Sequence, residues 1–107
     1  MYKINIKPLS LNHAYRGRRF KTPELEAYKK FIHYKLPKIE IPKGKMAVRY
    51  EFGVSSKNCD GDNLVKCFQD ALAEKYEFND KQIYRWEFEK VDVPKGKEYI
   101  AFSLSTV

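Results

Sequence analysis

Met46, Val48, Tyr50, Phe52 and Val54 alternate without a break, the period-two signature of a strand with one buried face. Leu64, Cys67, Phe68, Ala71 and Leu72 instead recur at helical spacing and predict a helix over residues 60–76 with a single buried stripe. A second helix is expected from Thr22-Pro23-Glu24, which supplies an N-cap, a proline at the first helical position and an early acid. Leu25, Tyr28, Ile32 and Leu36 carry its apolar face as far as Pro37. Residues 2–7 alternate and read as a strand ended by Pro8. Residues 8–21 follow neither period and read as a loop. Residues 82–93 read as a long strand with Tyr84, Trp86 and Phe88 on one face, for which core packing is the expected use and a contact between two chains the alternative. Its apolar phase shifts near Val91 and Val93, which predicts a bulge or bend there. Pro94-Lys95-Gly96-Lys97 then turns the chain into residues 98–105, where Ile100, Phe102 and Leu104 alternate. The order is β-α-β-α-β-β, expected as one α+β domain over residues 1–107, a mixed sheet packed by two helices.

Length and composition narrow the function. At 107 residues, 43% of them hydrophobic, the chain is large enough for a real core and too small for a two-domain enzyme. No apolar run approaches the ~18 residues needed to span a bilayer, and the start has no signal-peptide core. A soluble, cytoplasmic protein is expected. The two cysteines, Cys59 and Cys67, and the isolated His13 and His33 form no zinc or Cys–His pattern.

The net charge of +7 is uneven. Residues 1–45 carry 12 basic and 3 acidic residues, and residues 46–107 carry 9 and 11. A local basic field suits a polyanion, most simply nucleic acid. Arg16, Arg18 and Arg19 are three of only five arginines, and guanidinium groups suit phosphate. With Lys21, Lys29 and Lys30 they are the candidate phosphate contacts. A solvated lysine-rich face is the plainer reading of the lysines alone.

Four of the five aspartates lie between residues 60 and 80. Singly, each has a structural use: Asp60 as an N-cap, Asp62 as a first-turn acid, Asp80 as a turn residue, and Lys66 as a partner for Asp62 or Asp70. Together, Asp60 and Asp62 put two carboxylates at one helix entrance. All-oxygen sites of this kind suit Mg²⁺ or Mn²⁺. An acid pair on a basic protein fits a metal-dependent nuclease, with Lys66 adding positive charge at the scissile phosphate.

These residues also resemble a known family. Asp60-Gly61-Asp62-Asn63-Leu64-Val65-Lys66, then Asp70-Ala71-Leu72, then Asn79-Asp80 before a strand, is similar to the signature of the RusA family of Holliday junction resolvases. Ser10-Leu11-Asn12-His13-Ala14-Tyr15-Arg16 resembles that family's N-terminal motif. The resemblance implies Asp60, Asp62 and Asp80 as metal ligands and Lys66 as the essential lysine. It adds Asn12 and Tyr15 to the DNA contacts. It further implies Mg²⁺ dependence, a homodimer, a bacterial or phage-infected bacterial cell, and paired symmetric nicks at a four-way DNA junction. Two positions depart from the pattern: Gly61 stands where a larger apolar residue is common, and Asn79 precedes Asp80 where a second aspartate is usual. A catalytically silent nucleic-acid-binding module, and a same-fold nuclease acting on flaps, forks or RNA, are the competing readings.

Reach adds one expectation. A helix over residues 62–75 is about 20 Å long, and the five residues from 75 to 80 span at most ~17 Å. Asp80 would have to double back along the helix to meet Asp60 of its own chain. A two-fold dimer with antiparallel neighbouring helices places Asp80 of one chain beside Asp60 and Asp62 of the other, so a site shared between chains is expected.

Overall fold

Nine residues of strict alternation build the centre of the sheet, and the other elements assemble around them. The computed structural model describes residues 1–16, 20–57 and 59–107, and for Asn12, Tyr15, Arg16 and Phe20 it describes the backbone alone. The elements are β1 (Tyr2–Ile4), α1 (Leu11–Ala14), β2 (Tyr15–Arg16), β3 (Phe20–Lys21), α2 (Pro23–Lys35), β4 (Met46–Val54), α3 (Gly61–Tyr76), a 3₁₀ turn (Asp80–Gln82), β5 (Ile83–Asp92) and β6 (Tyr99–Thr106). The main sheet has the order β1-β6-β4-β5. β4 is antiparallel to β6 and parallel to β5, so the sheet is mixed and the class α+β, as expected.

The β4 residues 46, 48, 50, 52 and 54 are all buried beneath the helices. Phe68 of α3 meets them edge-on, its ring centroid 5.5 Å from Tyr50 and 6.1 Å from Phe52, and it also meets Phe102 of β6 at 5.5 Å. Cys67 is a buried core residue. The opposite face of the sheet is polar: Arg49 pairs there with Glu87, and with Glu89 at 3.1 Å. Gly53 is needed on that face because a Cβ would lie 2.3 Å from the Tyr99 ring, which is held over it by a 2.7 Å hydrogen bond from its hydroxyl to Glu51.

The helix boundaries follow from their caps. Thr22 accepts from the Leu25 amide at 3.3 Å and donates to the His13 carbonyl at 2.8 Å, so one hydroxyl starts α2 and fastens it to the end of α1. α3 ends on Glu77 in the left-handed conformation, where the Phe78 amide reaches back to the Ala73 carbonyl at 3.2 Å.

Four expectations need correction. The segment read as a loop contains α1 and the paired two-residue strands β2 and β3, all too short to show a period. The strand expected over 2–7 ends at Ile4, because its antiparallel partner β6 begins at Tyr99, just beyond the Ile4–Ile100 pair. No register shift occurs near Val91. It falls at the other end, where Met46 pairs with Ile83 and Ala47 with Arg85, leaving Tyr84 as the extra residue. Finally, Tyr84, Trp86 and Phe88 are not core residues; they are 60%, 49% and 44% exposed. β5 is an edge strand, and α3 covers only its margin.

Candidate functional site

The acidic motif sits where β4 hands the chain to α3. Asp60 occupies the N-cap position of α3, but its side chain makes no capping hydrogen bond. Asp62 is exposed in the first turn. Among the described residues, neither carboxylate has a hydrogen bond or an ion pair. Capping therefore does not account for Asp60. At the second acidic turn the cap is Asn79, which accepts from the Lys81 amide at 2.9 Å. Gln82 reciprocates toward the Asn79 amide at 3.4 Å. The Asp80 carboxylate takes no part in this capping box, so asparagine at 79 does structural work and leaves Asp80 available.

Gly61 has a local explanation. A Cβ there would lie 3.0 Å from Phe88 Cε2, so the β5 aromatic fills the space that a larger residue between the two acids would occupy. Trp86, on the same side of β5, donates to Gln69 Oε1 of α3 at 2.9 Å, and Tyr50 donates to the same oxygen at 3.1 Å. These contacts fix the start and middle of α3 against the edge strand.

The three acids do not come together in one chain. β4 and β5 run parallel from the Met46–Ile83 pair to the Val54–Asp92 pair. Asp60 follows the Val54 end, and Asp80 precedes the Ile83 end. The length of β4 separates them, roughly 26 Å at 3.3 Å per residue, and α3 spans a similar ~24 Å. Among the described residues, no group of three His, Cys, Asp or Glu side chains is placed to hold a metal.

Lys66 makes a 3.1 Å pair with Asp70, one turn further along α3. Both side chains retain solvent exposure, and pairs of this kind contribute only a few tenths of a kcal/mol. Lys29 pairs with Glu74 at 2.8 Å, its side chain only 18% exposed, and so ties α2 to α3. Lys21 and Lys30 are exposed. Arg18 and Arg19 lie outside the described residues, as do the side chains of Asn12, Tyr15 and Arg16.

Periodicity gives no sign of a cavity of about 740 Å³ beside Asp60, walled by Ser10, His13, Tyr28, Phe31, Asp60 and Asn63 among others. The cavity brings the N-terminal motif and the acidic motif to one place. No periodicity signals such a contact, because three separate segments form it. No helix among the described residues is long and apolar enough to cross a membrane.

A family model described as Endodeoxyribonuclease RusA matches residues 2–100. That span includes the N-terminal motif, both acidic segments and the aromatic edge strand. Compared with individual curated proteins, the chain has no match.

Proposed function

The chain belongs to the RusA family of endodeoxyribonucleases, whose members resolve Holliday junctions and generally depend on a divalent metal, and from that premise we propose that it cuts four-way DNA junctions by paired symmetric nicks. The observation that carries this reading is the pair of carboxylates, Asp60 and Asp62, at one helix entrance within the family match, neither of them engaged among the described residues.

The donor set fits a hard divalent cation. It consists of carboxylate oxygens only, which favours Mg²⁺, or Mn²⁺, over softer metals. Asp60 and Asp62 would hold it together with Asp80 of the partner subunit. When bound, the cation activates water for attack and neutralises charge on the phosphate. The protein's own groups do the rest. Lys66, half-exposed on α3 beside Asp70, offers its ammonium to a phosphate oxygen. Arg16, Arg18, Arg19, Lys21 and Lys30 hold the flanking phosphates, assisted by Asn12 and Tyr15. Lys29 contributes chiefly by fastening α2 to α3.

The edge strand supports sharing the site between chains. If two copies meet along β5 about a two-fold axis, the strands run antiparallel. The Ile83 end of one then lies beside the Asp92 end of the other. That juxtaposition carries the partner's Asp80 toward Asp60 and Asp62 and covers Tyr84, Trp86 and Phe88. An isologous contact of this kind produces two equivalent sites, as two symmetric nicks require.

The test is a nicking assay with Mg²⁺ on junction, fork and linear duplex DNA. The proposal expects paired nicks in the junction and little cutting of linear duplex. Binding without cutting would identify a silent binding module, and preferential cutting of forks a different substrate. The basic stretch has its own test. For the Arg18→Ala, Arg19→Ala double variant, the slope of log K against log salt should fall by ~0.9 per lost phosphate contact. An unchanged slope would mean that neither arginine touches phosphate.

A further inference from the structure

The cavity beside Asp60 is larger than metal binding needs, and its lining is mixed: Lys7 and His13 stand among apolar wall and the carboxylates of Glu24 and Asp60. Its volume of about 740 Å³ falls in the ~300–1,000 Å³ range typical of small-molecule pockets. Pro8, Leu9, Ala27 and Phe31 supply flat apolar wall. Phe31 is 37% exposed on α2, and the Lys35 ammonium stands 5.8 Å from its ring centroid. An aromatic platform with a neighbouring cation suits a base and its attached phosphate. Ser10 and Asn63 line the cavity with hydrogen-bonding groups, and a carboxamide can both donate to and accept from a base edge. Tyr28 also lines it, and its buried hydroxyl makes no hydrogen bond of ordinary geometry. The Leu9 amide is directed toward that hydroxyl.

We infer that this cavity receives a single nucleobase swung out of a DNA strand next to the cut phosphate. The inference rests on the proposed nuclease reading, because Asp60 forms both a cavity wall and part of the metal site. A base at a branch point suits the pocket, since extrusion costs least where pairing and stacking are already broken. Recognition inside the pocket would give the enzyme a preference for the base at that position.

The experiment uses the whole protein, in EDTA so that nothing is cut, and a four-way junction carrying 2-aminopurine at each central position in turn. At one position the fluorescence should rise several-fold on binding, because 2-aminopurine is quenched while stacked. Removing the base at that position should weaken binding about 5- to 150-fold, the range expected for one stacked base. Phe31→Ala, which removes the platform, and Ala27→Trp, which fills the space, should bind intact and abasic junctions alike. Both positions are exposed on α2, so the fold tolerates the changes.

Alkylation gives a second readout. Cys59 lies in the cavity wall, whereas the Cys67 thiol is buried and pushed up to about 11 by that burial. Iodoacetamide near pH 8 therefore reports Cys59, and junction DNA should slow its modification more than linear duplex does. If the parent nicks the junction with Mg²⁺ but shows no fluorescence rise, no penalty for the abasic site and no Cys59 protection, the cavity assignment falls and the nuclease reading stands. If the parent does not bind the junction at all, both fall.

Discussion

Asp62→Asn is expected to lose junction nicking by a factor on the order of 10²–10³ or more, the usual cost of removing one group that stabilises developing charge. Folding should scarcely change. Asp62 is exposed and, among the described residues, its carboxylate has no hydrogen bond or ion pair to lose. What remains is its favourable interaction with the start of α3, about 0.3–1 kcal/mol. Binding to junction DNA in EDTA should hold or tighten, since a negative charge near phosphate has gone. Activity, stability and affinity therefore move independently in one variant. Parental nicking by Asp62→Asn would remove Asp62 from the metal site, and a parallel loss of binding would make it a DNA-contact residue rather than a catalytic one.

The largest effect on stability is expected at Phe68. Its side chain is fully buried and packs edge-on against Tyr50, Phe52 and Phe102, rings supplied by two strands of the sheet. Phe68→Ala leaves a cavity between α3 and the sheet and should cost about 3–5 kcal/mol. A domain of this size has roughly 5–15 kcal/mol in total. The thermal midpoint should fall by roughly 15–30 °C. Because α3 carries Asp60 and Asp62 at its entrance, nicking should fail at temperatures where the parent still works and recover on cooling. A shift of only a few degrees would mean that the aromatic cluster repacks.

What the sequence revealed depended on whether a face was buried. β4 was legible because every second residue points into the core, and α3 because its stripe covers that strand. The order of elements and the core position of Cys67 followed. The aromatic alternation of β5 marks a strand but does not show that its face is exposed. Periodicity reports the phase of side chains, and only the placement of α3 decides whether a face is covered. The one-turn α1 and the short β2 and β3 have no period to read. Asp60 could not be resolved between cap and ligand by spacing. The structure gives it the cap position without the cap hydrogen bond. Asn79, a departure from the family pattern, proves to be the residue that caps the turn holding Asp80. The cavity was invisible because residues of the β1–α1 connection, α2 and the α3 entrance meet only in the folded chain.

The central claim is that one metal site draws Asp60 and Asp62 from one chain and Asp80 from another. β4 and β5 keep these acids at opposite ends of the parallel pair, so a single chain leaves the set incomplete. The most direct measurement mixes inactive Asp62→Asn protein with inactive Asp80→Asn protein, confirms subunit exchange by mass, and assays junction nicking with Mg²⁺. A shared site predicts that nicking returns, with one working site in each heterodimer and single rather than paired cuts. Confirmed exchange with no return of nicking would contradict it and place all the required acids in one chain.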